Sequence, residues 1–195
     1  LVRNGVFAIN LVSSPGAGKT TLLERTIAAL DGRLRIAVVE GDVQTDLDAQ
    51  RVAKYGVPVV QIVTNGGCHL EARLVQDALA RLDLAATDVL VIENVGNLVC
   101  PANFDLGEDL KVVVLSVTEG DDKPLKYPAM FQRAAVLIIN KIDLIPYVDA
   151  DVAAIRRHAL LTNPDLRIFE TSCRTGEGIA EFAAWLITEA ERRRG

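Results

Sequence analysis

The amino-acid sequence predicts an α/β fold, a doubly wound, mainly parallel sheet with helices on both faces. Short apolar, β-branched runs alternate with amphipathic helical patterns from one end of the 195 residues to the other. Several of these runs are apolar at consecutive positions, which is typical of parallel strands covered on both faces. No repeat, low-complexity tract or long linker interrupts the pattern, so we expect a single domain over residues 1–195.

Seven segments fit the strand pattern, and they occupy residues 6–12, 36–40, 59–63, 89–92, 112–117, 136–139 and 167–169. Between them, apolar side chains recur at helical spacing over residues 22–30, 74–82 and 179–190. The ligand-binding residues of a doubly wound sheet lie beyond the carboxyl ends of its strands. Functional residues are therefore expected in the segments that follow the strands.

The composition excludes several classes of partner. The chain has 21 basic and 26 acidic residues, a formal charge of −5, so neither a nucleic-acid partner nor a membrane is expected. No apolar run approaches the roughly 20 residues that span a bilayer. Three cysteines without framework spacing indicate a reducing, cytoplasmic location. Arginines 192–194 are expected to form a solvated helix end that complements the helix dipole.

The turn after the first predicted strand has the pattern of a phosphate-binding loop. Residues 13–20 are Ser-Ser-Pro-Gly-Ala-Gly-Lys-Thr, and Ser13 replaces the first glycine of the usual G-x-x-x-x-G-K-S/T. Glycines let backbone N–H groups approach an oxyanion, Lys19 would reach the terminal phosphates, and the Thr20 hydroxyl would hold Mg²⁺. The loop predicts a P-loop NTPase whose nucleotide-binding residues are Gly16, Ala17, Gly18, Lys19, Thr20 and Thr21.

A second motif, Asn140-Lys141-Ile142-Asp143, follows the sixth predicted strand. The Asp143 carboxylate can accept hydrogen bonds from the N1–H and the exocyclic amine of guanine, whereas adenine would leave it unpaired. The stem of Lys141 can cover the base, and Asn140 can tie this segment to the phosphate loop. Ser172 and Cys173 follow the seventh strand, where a backbone N–H would meet the guanine oxygen. The motif predicts GTP or GDP as ligand, with a helix cap at Asp143 as the structural alternative.

Acidic residues at two strand ends predict the Mg²⁺ site. Asp42 and Glu93 follow the second and fourth strands; with Thr20 they are the candidate Mg²⁺ ligands, and with Lys19 the candidate catalytic residues. Asn97 occupies the position at which Ras-like enzymes carry the glutamine that orients the attacking water. Intrinsic turnover is therefore expected to be slow. Water positioning would fall to one of three acids, which are Asp42, Asp46 and Asp48, although the last two also fit as helix-start residues.

Two cysteines and a histidine follow the third and fourth strands. Cys68 and His69 are expected to open a helix, a position that favours thiolate, and Cys100 is expected to leave a neighbouring strand at the same edge. Sulfur with imidazole suits Zn²⁺ or Ni²⁺ rather than Mg²⁺, and three ligands leave one position open. Because the pattern lacks Cys-x-x-Cys spacing, buried filler cysteines are the alternative.

These motifs together resemble the HypB family, the nickel-insertion GTPases of NiFe-hydrogenase maturation, which are SIMIBI-class G proteins related to the urease accessory GTPase. The resemblance rests on the phosphate loop, Glu40-Gly41-Asp42, Gly67-Cys68-His69-Leu70, residues 93–101, residues 118–124 and Asn140–Asp143. It implies a GTP-binding (G) domain that forms a homodimer with nucleotide and binds Ni²⁺ or Zn²⁺ through Cys68, His69 and Cys100. It further implies a hydrogenase large subunit and an accessory nickel-delivery protein as partners.

Two other functions remain open from the sequence. A GTPase that switches protein assembly or targeting would use the same nucleotide site, with its cysteines merely structural. A P-loop small-molecule kinase would use ATP, which Asp143 should exclude. The leading hypothesis is a GTP-hydrolysing metallochaperone, in which nucleotide state sets dimerisation and dimerisation shapes the Cys/His site.

Overall fold

A computed structural model describes residues 5–195, and its centre is one sheet of seven strands. Every strand pairing is parallel, and the spatial order is β3-β2-β4-β1-β5-β6-β7. The doubly wound sheet and all seven predicted strands are confirmed, with ends that shift by up to two residues. The strands are β1 (Phe7–Ser13), β2 (Ile36–Asp42), β3 (Val59–Val63), β4 (Val89–Glu93), β5 (Leu110–Ser116), β6 (Ala134–Asn140) and β7 (Arg167–Thr171).

Helices cover both faces of the sheet. They are α1 (Lys19–Leu30), α2 (Leu47–Ala53), α3 (Ala72–Leu79), α4 (Lys123–Lys126), α5 (Pro128–Arg133), α6 (Val152–Thr162) and α7 (Ile179–Arg194). Short 3-10 turns occupy Leu84–Ala86, Cys100–Asn103, Val117–Glu119 and Ile142–Tyr147. Val117, predicted as the last residue of a strand, lies in one of these turns. None of the described helices is long and apolar enough to cross a membrane.

Alternating strand residues build separate cores on the two faces. Phe7, Ile9 and Leu11 of β1 pack with α1 and α7, whereas Ala8 and Val12 point to the opposite face. On that opposite face, α5 and α6 cover one half of the sheet and α3 covers the other. Covering both faces explains the consecutive apolar residues in the strands, and it leaves the strand ends as the place for polar side chains.

The last helix is fastened to the edge of the sheet opposite its carboxyl ends. Arg193 pairs with Asp109 at 2.8 Å, and Arg194 pairs with Asp88, a buried carboxylate that Arg35 also contacts. Arg192 and Arg194 are exposed and Arg193 is half-buried in the last turn of α7, so the expected solvated helix end also forms two ion pairs. The two aspartates stand before β4 and β5, so sequence spacing alone gave no sign of the pairing.

Candidate functional site

The phosphate loop joins the end of β1 to the start of α1. Gly16 and Gly18 have φ of 76° and 99°, the left-handed region that glycine enters without strain. A Cβ on Gly18 would also lie 2.7 Å from Nδ2 of Asn140. The Lys19 ammonium lies 3.1 Å from the hydroxyl of Ser13. The serine in place of the first glycine is thus buried and holds the lysine of the loop.

The last residue of β6 and the residue after it each donate a hydrogen bond to this loop. Asn140 Nδ2 donates to the carbonyl of Ala17 at 3.0 Å, and Lys141 Nζ donates to the carbonyl of Gly16 at 2.7 Å. Lys141 itself adopts φ 63°, which turns the chain sharply after the strand. These bonds hold the phosphate loop against the Asn140–Asp143 motif, which is predicted to bind the guanine base.

A cavity of about 410 Å³ opens where the phosphate loop meets the Asn140–Asp143 motif. The predicted residues Asn140, Lys141, Asp143 and Cys173 line it, together with Arg25, Arg174, Gly18, Thr21 and Leu144. The Ser172 hydroxyl donates to Oδ1 of Asp143 at 2.6 Å, and this bond orients the carboxylate. Asp143 is therefore placed in a turn at the cavity wall and presents an acceptor to whatever occupies it.

A second cavity, of about 310 Å³, lies over the phosphate loop. It is lined by Gly16, Gly18, Lys19, Thr20, Thr21, Lys141 and two residues of α2, which are Asp48 and Arg51. Arg51 was not among the predicted site residues. Its guanidinium bonds both carboxylate oxygens of Glu24, at 2.7 and 3.1 Å, and the Thr21 hydroxyl at 3.1 Å. Its spacing of three residues from Asp48 on one helix was the available signal.

Thr20 and Glu93 meet at the buried end of the second cavity. The Thr20 hydroxyl donates to Oε1 of Glu93 at 2.7 Å, while Oε2 of Glu93 has no hydrogen-bond partner among the described residues. Glu40 lies beside it, because β2 and β4 pair Glu40 directly with Glu93. Each glutamate is 2% exposed, and Oε2 of Glu40 likewise has no partner within residues 5–195.

Burial raises the pKa of both glutamates, and for Glu40 the neighbouring charge of Glu93 raises it further. Two buried carboxyl groups in contact cannot both ionise cheaply, so the pair retains a proton. The unpartnered oxygens beside a threonine hydroxyl suit a hard cation that takes oxygen ligands, such as Mg²⁺. Glu40 was not among the predicted site residues; an acid directly after the buried run Ile36–Val39 was its only sequence signal.

The three acids Asp42, Asp46 and Asp48, at and beyond the end of β2, are held in different ways. Asp42 accepts hydrogen bonds from the backbone N–H groups of Gln44 and Thr45, both at 2.8 Å. Partial burial acts to raise the pKa of Asp42, but these N–H donors outweigh it and lower the pKa. Asp48 pairs with Arg51 at 2.9 Å, and Asp46 stands exposed at the start of α2. Thus Asp42 shapes the loop, and neither of the others contacts the Thr20–Glu93 pair.

Cys68, His69 and Cys100 form a compact cluster at the same edge of the sheet. The two Sγ atoms lie 2.8 Å apart, Nδ1 of His69 lies 3.5 Å from Sγ of Cys68, and the three ligand atoms fall within 4.8 Å of one another. The His69 ring stacks on Phe104 with centroids 3.8 Å apart. Its buried Nε2 has no partner within the described part of the chain. Cys173, by contrast, is buried in the main core.

Two expectations about this cluster were wrong. Helix α3 begins at Ala72, so Cys68 lies in the loop before it and gains nothing from a helix N-terminus. The hydrogen bond to Cys100 instead raises the pKa of the Cys68 thiol. Strands β3 and β4 are also not neighbours, because β2 lies between them. The cysteines meet because the two loops fold toward each other over the end of β2.

The loop that carries Cys100 is shaped by Asn97. Its Oδ1 accepts hydrogen bonds from the backbone N–H groups of Val99 and Cys100, at 2.7 and 3.3 Å. Asn97 occupies the position considered for water activation, yet its side chain holds the turn that presents Cys100.

Comparison with known proteins identifies the family to which this chain is similar. The model of the CobW/HypB/UreG nucleotide-binding domain matches residues 7–170. Over 190 residues the chain is 57% identical to the hydrogenase maturation factor HypB of Azotobacter vinelandii, covering 97% of this chain and 61% of that protein. It is also 44% identical over 194 residues to the probable hydrogenase maturation factor HypB of Methanocaldococcus jannaschii, covering 98% and 88%. This chain belongs to the HypB family.

Solved structures agree with the HypB assignment. The crystal structure of HypB from Helicobacter pylori in complex with nickel superposes with a TM-score of 0.93 at 40% identity, covering 99% of this chain and 91% of that one. FtsY from Thermotoga maritima, at 18% identity and a TM-score of 0.63, shares the fold alone. The chain spans about three fifths of the length of the first curated HypB relatives.

Proposed function

We propose that this HypB-family chain is the GTP-hydrolysing part of a nickel metallochaperone that assists hydrogenase maturation. The observation that carries the proposal is the Cys68–His69–Cys100 cluster, which stands at the same sheet edge as the nucleotide cavities. Two sulfurs and one imidazole within reach of a single ion suit Ni²⁺ or Zn²⁺. The metal ion is the cargo, and hydrolysis of the bound GTP controls when the ion is released.

The nucleotide is GTP, and the reaction is hydrolysis to GDP and phosphate. Asp143 would accept from the guanine N1–H and amine, since its carboxylate faces a cavity and is oriented by Ser172. Lys19 would neutralise charge that develops on the terminal phosphates. Bound Mg²⁺, held by Thr20, Glu93 and Asp42, would supply further neutralisation of the phosphate oxygens.

Slow intrinsic turnover is expected because the polar side chains that could orient the attacking water are engaged in other contacts. Asn97 is engaged in the turn that holds Cys100, and Asp48 is paired with Arg51. No glutamine stands at the usual place to orient water. A slow GTPase suits a switch, whose states must persist long enough to be read by a partner.

Three protein ligands leave one coordination position for the ion to gain from a second copy or a partner. We propose a GTP-dependent homodimer, with a hydrogenase large subunit and an accessory nickel-delivery protein as partners. A crystal structure of the Helicobacter pylori relative contains nickel, which supports this choice of cargo. Three free cysteines fit the thiol-reducing conditions of the cytoplasm.

The test is stoichiometric titration with Ni²⁺ and Zn²⁺, with GDP or a GTP analogue, read alongside oligomeric mass. We expect one ion per chain, an increase in mass with the GTP analogue, and at least a tenfold loss of affinity in Cys68→Ala and Cys100→Ala. Cys173→Ala is the matched control, and it is titrated without nucleotide because Cys173 lines the nucleotide cavity; its metal affinity should stay unchanged. Wild-type affinity in the two cluster variants would refute the metal site.

The same measurements separate the alternatives. If the cysteines were structural filler, they would be buried like Cys173, whereas Cys68 is exposed and Cys100 half-buried. A targeting GTPase would dimerise with nucleotide without binding the ion. A small-molecule kinase would bind ATP, so competition by ATP at concentrations similar to GTP would favour that function.

A further inference from the structure

Leu70, the residue after His69, is fastened to the strand that carries Glu93. Its backbone N–H donates to Oδ1 of Asn94 at 3.1 Å. Asn94 directly follows Glu93, at the end of β4, and is 1% exposed. One hydrogen bond therefore separates the metal-binding segment from the residue next to the Mg²⁺-site carboxylate.

The side chain of Leu70 also rests on the end of β2. Leu70 is 0% exposed, and a Cβ added to Gly41 would lie 2.8 Å from its Cγ and Cδ1. Gly41 is an ordinary strand residue whose φ is not positive, so the glycine is required by space rather than by conformation. It stands between Glu40 and Asp42. Leu70 is thus wedged between the two strand ends that carry the acidic residues of the nucleotide site.

Asn94 is itself held rigidly. Its Oδ1 also accepts from the N–H of Val95 at 3.0 Å, and its Nδ2 donates to Oδ1 of Asn10 at 3.2 Å. Asn10 in turn donates to Oε1 of Glu108 at 3.1 Å. These bonds fix the orientation in which the Asn94 amide meets the backbone N–H of Leu70.

We propose that Leu70 and Asn94 are the positioning residues that couple the nucleotide site to the metal cluster. Nucleotide and Mg²⁺ act on the ends of β2 and β4; Leu70 follows those ends and moves His69 and Cys68 relative to Cys100. Neither residue lines the nucleotide cavities or supplies a ligand atom to the Cys68–His69–Cys100 cluster. This inference rests on the proposed function and adds the route by which nucleotide state changes Ni²⁺ affinity. Thermodynamic linkage requires the same route to change nucleotide affinity when Ni²⁺ binds.

The experiment measures the Ni²⁺ dissociation constant in the GDP form and in the GTP-analogue form, from the nickel–thiolate absorption band. For the wild-type chain we expect the two constants to differ by about fivefold or more, as is usual for coupled sites. Leu70→Ala should bring their ratio below a third of the wild-type value, because the wedge is gone. Nucleotide affinity in the absence of metal should stay within about twofold.

Gly41→Ala tests the contact from the other side. Its new methyl group would push Leu70 away from β2 and should weaken Ni²⁺ binding at least fivefold in both nucleotide forms. The double variant Gly41→Ala/Leu70→Ala has room for the methyl group and should regain most of that Ni²⁺ affinity. Effects that arise at two independent sites would add in the double variant rather than cancel.

Val75→Ala is the control, since Val75 is fully buried on α3 in the same core cluster but outside the metal-binding segment. It should lose stability and keep the ratio of the two Ni²⁺ constants. A Leu70→Ala protein with the wild-type ratio would overturn the inference. So would a wild-type protein that binds GTP and Ni²⁺ with no dependence of one on the other, although its two sites would then stand. Failure to bind either ligand would instead overturn the proposed function, and this coupling with it.

Discussion

The buried pair of Glu40 and Glu93 makes a prediction about stability and pH. Their carboxyl groups face each other at paired positions of β2 and β4, and each is 2% exposed. Burial is the largest cause that raises the pKa of either glutamate. Without nucleotide and Mg²⁺, the folded chain should therefore hold a proton near neutral pH that the unfolded chain has released.

The sign and size follow from proton linkage. A carboxyl whose pKa is raised by folding stabilises the protein fully below its unfolded pKa, about 4.5 for glutamate. That stability is lost as pH rises toward the folded pKa. The loss for one proton is about 1.4 kcal/mol per pH unit, or about 2.7 kcal/mol between pH 5.5 and 7.5. Glu40→Gln keeps the volume, removes the proton and can donate to Glu93, so its free energy of unfolding should fall less over this interval.

The assay is urea unfolding at pH 5.5, 6.5 and 7.5 in the absence of nucleotide and Mg²⁺. The difference in unfolding free energy between Glu40→Gln and wild type should move in favour of the variant by about 1.4 kcal/mol per pH unit. Glu177→Gln, at an exposed glutamate, serves as control, and its unfolding free energy should change with pH as that of the wild type does. If the unfolding free energy of Glu40→Gln has the same pH dependence as that of the wild type, the Glu40–Glu93 pair holds no extra proton between pH 5.5 and 7.5, and the reasoning fails.

Three further predictions concern the nucleotide site and the turn behind it. Asp143→Asn should reduce the preference for GTP over ATP by roughly thirtyfold, about 2 kcal/mol, in competition binding; an unchanged preference would remove Asp143 from base recognition. Arg51→Lys should weaken GTP binding almost as much as Arg51→Ala, because an ammonium cannot reproduce the paired bonds of the guanidinium, and titration with a GTP analogue measures this. Gly178→Ala should lower the free energy of unfolding by about 3 kcal/mol, since the new Cβ would lie 1.9 Å from the carbonyl oxygen of Glu170. Gly176→Ala isolates the backbone strain, because Gly176 also has positive φ but open space around it; equal losses in the two variants would contradict the steric argument.

The strands and the phosphate loop could be predicted because their signals are local. An apolar run of seven residues, a glycine-rich turn and an amphipathic helix lie within 30 consecutive positions. Each of these patterns indicates its local structure without reference to contacts with distant parts of the chain. The segment Asn140–Asp143 was recognisable for the same reason. The expected tie from Asn140 to the phosphate loop is present as its bond to Ala17, and Lys141 adds a bond to Gly16.

Residues that depend on strand order could not be predicted. Glu40 meets Glu93 only because β2 and β4 are neighbours in a particular register, and 53 positions separate the two residues in the chain. Arg51 reaches the phosphate cavity only because α2 packs against α1, where Glu24 receives it. The environment of Cys68 was misjudged because the apolar spacing of α3 does not mark its first turn, and the helix begins four residues later.

The Cys100 side of the cluster shows how one loop position can change its use. A Cβ on Gly96 would lie 3.1 Å from the backbone N and Cα of Pro15, so this loop packs directly on the phosphate loop. In Ras-like enzymes a glutamine after the corresponding glycine orients the attacking water. Here the shorter Asn97 side chain turns to the backbone of Val99 and Cys100. The position that orients the attacking water in Ras-like enzymes therefore holds the turn that presents Cys100, in a loop that also packs on the phosphate loop.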